Sequence, residues 1–316
     1  MTKRRWHSRD AQLLRLRTGA SDPAVAISTL AENLIDDVGF DGPPFRPDIL
    51  ASFQGINDIR RCPMVSAARL VPSDRGLIVE VNVDHSPSKQ NFSIDHEITH
   101  TLLPTYSGQS VDDVVTGQFS LSNEEELLCD IGASTLLLDG RWLRPLAQDA
   151  GPSLNTLFRL AETFEASLQA TALKLAELDI WPCAFVMWEE GYRKNERVSE
   201  QQITLPGFHR AKGPAPKLRV VTPYVSASFG RYIPLNKSAD RGSLVQACVE
   251  SNAITRGVEV FNFGARSESL YCENIHVPYT SGGLARSRVI SLLLPDSWQS
   301  RTPSPDLTIQ YRLEVF

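Results

Sequence analysis

The sequence predicts an α+β protein, and the spacing of its apolar residues is the observation that predicts it. Between residues 22 and 180 apolar side chains recur mostly at helical intervals, broken by one short alternating run rich in Ile and Val. From Pro182 onward the pattern changes to short β-rich runs separated by Gly, Pro, Ser and Asn. Three parts are expected: a mostly helical domain with a small sheet over residues 1–150, a helix-turn-helix-like connector over 151–181, and an α+β domain over 182–316.

Taken in order, Asp22-Pro23 is a helix start, and Val25, Ile27, Leu30, Leu34 and Ile35 extend the helix over 22–38. Pro43, Pro44 and Pro47 interrupt it, and a short helix covers Asp48 to Phe53. Arg75 to Val83 (RGLIVEVNV) alternates as a strand does, and a helix carrying HEITH follows. After the polar stretch Thr105 to Ser122 another helix opens, where Ser122 and Glu125 have capping-box spacing; it ends near Asp139-Gly140. Residues 153–179 give two short helices joined near Glu165 to Ser167, with Leu157, Leu160, Phe164, Leu173 and Leu175 toward a shared core. The β-rich runs are CAFVMWE, KLRVVTPYV, GVEVFNF, SRVISLLLP and LTIQYRLEVF, and Gln201 to Pro216 is a long loop among them.

Hydrophobic residues make up 42% of the chain and charged residues 22%, and apolar runs such as Ile290 to Leu294 are far shorter than a membrane span. No membrane association is expected. The basic N-terminus lacks the apolar stretch of an export signal, so a cytoplasmic location is expected. Five scattered cysteines without a CxxC pair argue against a disulfide framework and against a zinc ribbon; they read as buried thiols. The net charge of −5 conceals an asymmetry, with about +6 on residues 191–316 and about −11 on the rest.

His96-Glu97-Ile98-Thr99-His100 is an HExxH motif. On a helix, residues four apart are separated by only about 40°, so both imidazoles leave one face and can grip one zinc ion. Glu97 is offset by about 100°, where its carboxylate can take a proton from a water on the metal. The pentapeptide also arises by chance, so its neighbourhood decides: a catalytic zinc needs a third protein ligand and an open position. The next helix offers Glu126 as that ligand. Asp130, four residues on, shares its face and can accept the hydrogen bond that fixes a ligating imidazole. Glu124 and Glu125 are rivals, but capping and the helix dipole account for them. Cys129 is a softer rival for which a packing role is preferred. Tyr106 is a candidate oxyanion donor, with an exposed loop position the preferred reading. His85, His209 and His276 have no ligand spacing. Manganese is the alternative to zinc.

QNFSIDHEITHTLL followed by EEELLCDIGASTLLL resembles the ImmA/IrrE family of bacterial metallopeptidases. PPFRPDILASFQGI is similar to that family's lead-in segment, SLNTLFRLAETFEASLQATALKLAEL to its helical region, and the β-rich remainder to longer members that end in a GAF-like sensor domain. The resemblance implies a zincin-like peptidase domain with His96, His100 and Glu126 on the metal, Glu97 as base and Asp130 beside Cys129. Where many members end the Leu-rich helix in Leu-Met-Pro, this chain has Leu138-Asp139-Gly140. The resemblance also implies a substrate, a helix-turn-helix transcriptional repressor whose loss derepresses stress, DNA-damage or phage-defence genes.

The helix pair at 153–179 is acidic, so packing or substrate docking is preferred to DNA binding there. Arg193, Lys194, Arg210, Lys212, Lys217 and Arg219 make the C-terminal domain the better place for a nucleic acid or anionic ligand, although a simple solvated face is the preferred reading; the family resemblance implies a sensor there, with single-stranded DNA or a small molecule as activator. Trp188, Tyr192, Tyr224, Phe229 and Tyr232 can stack on bases, but at this spacing core positions are preferred. The alternative to an enzyme is a ligand-responsive regulator that binds a repressor and keeps zinc for structure.

Overall fold

The computed structural model describes residues 5–74, 76–107, 123–192, 215–262, 267–281 and 284–301. Two compact units are present, Met1–Leu146 with Phe158–Lys174, and Ala147–Leu157 with Leu175–Phe316. Ser122, Arg193, Lys194, His209, Arg210, Lys212, nearly all of the Gln201–Pro216 loop and the run LTIQYRLEVF lie outside the described residues.

The first unit opens with α1 (Arg9–Thr18), which the apolar spacing does not announce because Leu16 is exposed and its buried residues are Asp10, Ala11 and Leu14. Its local signal is Ser8, whose Oγ accepts the Ala11 N–H at 3.2 Å. Helix α2 (Pro23–Val38) follows the expectation, with the Asp22 carboxylate accepting the Ala24 N–H at 3.0 Å and Gly39 closing the helix in the left-handed region. Ala26, Ile27, Ala31, Leu34 and Ile35 are its buried side, whereas Val25 is exposed. Helix α3 is Pro47–Phe53.

Strands β1 (Ile56–Cys62), β2 (Ala68–Ser73) and β3 (Gly76–Asn82) form a sheet in the order β1-β3-β2, parallel between β1 and β3 and antiparallel between β2 and β3. Only β3 alternates in hydrophobicity. Its neighbours carry Asp58, Arg60, Arg61 and Arg69 on largely solvated faces, which hides them from pattern reading. Helix α4 (Pro87–Leu102) carries HEITH, α5 (Pro104–Ser107) adds one turn, and α6 (Asn123–Leu137) carries Glu126, Cys129 and Asp130.

The Asp139-Gly140 stop also begins a helix that the sequence reading lacks, α7 (Gly140–Ala150). Buried Asp139 accepts the Arg141 N–H at 2.8 Å and holds the Arg141 guanidinium at 2.6 Å. Helices α8 (Leu154–Thr163) and α9 (Leu168–Glu177) match the expected pair, with Glu165 at φ 51° in the turn between them. Leu157, Leu160, Phe164 and Leu175 are buried; Leu173 is exposed. The Phe164 ring meets Phe45 edge-on at 6.1 Å.

In the second unit, β4 (Ala184–Gly191), β5 (Lys217–Val225), β6 (Thr255–Asn262), β7 (Ser267–His276) and β10 (Arg288–Pro295) form an antiparallel sheet in the order β5-β4-β10-β7-β6. A short ribbon pairs β8 (Tyr279–Ser281) with β9 (Leu284–Arg286). Helix α10 (Leu244–Ser251) contributes Val245 and Cys248 to a core containing Trp188, Val220, Phe229, Leu270 and Leu293. Strand β7 escapes pattern reading because polar Glu273 and Asn274 are buried in it. Each is satisfied: the Glu273 carboxylate accepts the Leu154 N–H at 2.8 Å, and Asn274 Oδ1 accepts the Ser291 hydroxyl at 2.5 Å.

Candidate metal centre

The centre is built by α4 and α6, and a glycine sets how closely they lie. A Cβ on Gly132 of α6 would collide with the Thr99 side chain of α4, so bare backbone at 132 is what permits this approach. Thr99 is itself fixed, its hydroxyl donating to the Asp95 carbonyl at 2.8 Å. Helical periodicity then turns His96 and His100 toward α6, their ring centroids 4.9 Å apart.

Helix α6 answers with Glu126, Cys129 and Asp130 on one side. Glu126 Oε2 lies 3.2 Å from His96 Nε2, and Asp130 Oδ1 lies 3.0 Å from His96 Nδ1. Cys129 Sγ lies 3.1 Å from His100 Nδ1. One donor atom each from His96, His100 and Cys129 falls within 4.8 Å of the others. The donor set fits a divalent ion: two ligand atoms at about 2.0–2.1 Å from one tetrahedral zinc stand about 3.3 Å apart, close to the His96–Glu126 spacing.

The residues named from the sequence for this chemistry thus converge: His96, Glu97, His100, Glu126 and Asp130 all line one cleft of about 650 Å³. Glu124 does not serve here, because its carboxylate accepts the His7 and Ser8 N–H groups at 2.7 Å and pins the start of α1. His85 and His276 also stand elsewhere, against Lys89 and Asn252. Tyr106 overturns the preferred reading of an exposed loop residue. It sits on α5 and lines the cleft, and its hydroxyl is buried with no hydrogen-bond partner among the described residues. No local pattern signals this burial, which follows from Leu103 and Tyr106 packing with the α1, α2 and α6 core. Ala68 and Leu70 of β2 also line the cleft, a contribution that sequence reasoning missed.

The electrostatics favour neutral imidazole and a basic carboxylate. Burial, with help from His96, lowers the His100 pKa to about 3, so the ring is held in the form that binds a metal. Burial and the Glu126 charge raise the Glu97 pKa to about 7, against an opposing hydrogen bond from the Leu70 backbone. Burial and Glu97 push Tyr106 up to about 12, keeping its proton on oxygen. Cys129 is likewise held as a thiol by burial and by the surrounding carboxylates. Asp95 is fully buried with no partner for either oxygen among the described residues, and burial raises its pKa well above the ordinary range.

In the second unit, Arg219 is withdrawn from the expected basic surface. It is buried, and its guanidinium donates to the carbonyls of Gly191 and Asn236. Trp188 and Phe229 are core residues, while Tyr232 is 77% exposed. No helix among the described residues is long and apolar enough to cross a membrane.

The α4–α6 centre lies within residues 54–176, which match the model of the peptidase M78 family, the IrrE N-terminal-like domain. Among curated proteins, the radiation response metalloprotease IrrE of Deinococcus deserti is 26% identical over 121 residues, 35% of this chain and 40% of that protein. Its namesake in Deinococcus radiodurans is 21% identical over 144 residues, 42% of this chain and 41% of that protein. The chain thus spans about two fifths of the length of these relatives. A Mycobacterium tuberculosis transcriptional regulator shares the fold, with a TM-score of 0.51 and 14% identity across 92% of this chain and 82% of that one. These findings support the ImmA/IrrE resemblance, and among the described residues His96, His100 and Cys129 form a cluster that could hold a metal ion.

Proposed function

We propose that the chain is a zinc-dependent endopeptidase that cleaves a helix-turn-helix transcriptional repressor, derepressing stress, DNA-damage or phage-defence genes in the cytoplasm. The observation that carries the reading is the meeting of His96, His100 and Glu126 with a raised-pKa Glu97 in one open cleft. His96, His100 and Glu126 would hold the ion, and Asp130 fixes the His96 tautomer. When bound, zinc supplies Lewis-acid polarisation of a peptide carbonyl and acidification of water toward a pKa of about 7.

The chain's own groups do the rest. Glu97 removes a proton from the attacking water and passes it to the leaving amine, a task suited to a carboxylate whose pKa is about 7. The Tyr106 hydroxyl, which lines the cleft, donates to the carbonyl oxygen as negative charge builds there. Among the described residues strand β2 pairs with β3 alone and borders the cleft, so its outer edge can align an extended peptide beside the Leu70 backbone that already bonds Glu97. The domain limits 1–150, 151–181 and 182–316 belong to the same proposal, with the last as a GAF-like sensor for single-stranded DNA or a small molecule. A repressor encoded beside the gene, incubated with the zinc-loaded protein, is expected to be cut by wild type and left intact by Glu97→Gln. Equal cutting by both would refute the role given to Glu97.

A further inference from the structure

The two imidazoles of the centre are held by different kinds of partner. His96 presents Nδ1 to Asp130 and Nε2 to Glu126, so one ring nitrogen is oriented and the other faces the donor set. His100, one helical turn on, repeats the pattern with Cys129 in place of a carboxylate: Sγ lies 3.1 Å from its Nδ1. We propose that Cys129 is the positioning residue of His100, accepting the Nδ1–H through its thiol sulfur so that Nε2 is free for the metal; this rests on the metal-centre reading above.

Two considerations support orientation over packing, and the cobalt spectrum below separates it from ligation. Cys129 is fully buried beside the His100 ring, and a metal-binding imidazole needs an acceptor for its remaining N–H. The ring has one proton when neutral, and coordination through Nε2 places that proton on Nδ1, where sulfur is at hand. Helix α6 therefore supplies a ligand, Glu126, and the orienting partners of both histidines from a single stretch of five residues.

The test is a zinc titration against a competing chelator for wild type, Cys129→Ser and Cys129→Ala, with the visible spectrum of cobalt-loaded wild type. The expected results are affinity lost by about 10–100-fold in Cys129→Ala, retained within about threefold by the Ser hydroxyl, and no sulfur-to-cobalt charge-transfer band. Unchanged affinity in Cys129→Ala would reduce the thiol to packing, and a charge-transfer band lost in Cys129→Ser would make it a ligand; either overturns the proposal. If melting of the metal-free Ala variant shows that it does not fold, the Ser titration and the wild-type cobalt spectrum decide. Wild type that takes up no zinc would instead overturn the metal-centre reading itself.

Discussion

Replacing Gly132 with Ala puts a methyl group where Thr99 already stands, and both helices that carry the centre must respond. Overpacking of this kind costs about 1–3 kcal/mol, against which the helix propensity of Ala over Gly returns about 1. The net expectation is a loss of about 1 kcal/mol. Because the obstruction is one side chain, Thr99→Ala should relieve it, giving a coupling of about 1–2 kcal/mol in the double mutant. Urea unfolding of the metal-free single and double variants measures this, and zinc affinity should fall in Gly132→Ala and recover in the pair. Strictly additive losses would refute the claim that the Gly132–Thr99 contact sets the helix separation.

Three other variants probe single groups. Tyr106→Phe is expected to lower kcat by about 10²–10³-fold with KM nearly unchanged, as loss of one oxyanion donor does; an effect on KM alone would move the hydroxyl to ground-state binding. Asp130→Asn should weaken zinc about 10–100-fold without unfolding the protein, and unchanged binding would show that His96 needs no anionic acceptor. Asp95 has a folded pKa well above its unfolded value of about 4, so the folded state keeps a proton that the unfolded chain loses, and stability falls as pH rises through that window. Asp95→Leu should therefore gain on wild type by more at pH 7 than at pH 4 in urea midpoints; an equal difference at the two values would contradict the raised pKa.

Much of the centre was legible because helical geometry is local. The spacing of His96 and His100, and of Glu126 and Asp130, fixes which side chains share a face once each segment is a helix. What lets α4 and α6 approach so closely was not legible, since it depends on Thr99 fitting against a bare Gly132, a contact between residues far apart in sequence. Tyr106 was misjudged for the same reason: nothing local reveals that Leu103 and Tyr106 fold back onto the core. In the fold, strands with alternating or continuous apolar residues were visible. Those stabilised by buried polar pairs, as in β7, or left on solvated faces, as in β1 and β2, were not.

The most direct measurement is the zinc content of purified protein, determined by elemental analysis for wild type, His100→Ala, Glu126→Ala and Glu97→Gln. One ion per chain is expected in wild type and in Glu97→Gln, and loss of most of it in the other two. Zinc held equally well without His100 and Glu126 would contradict a centre built between α4 and α6.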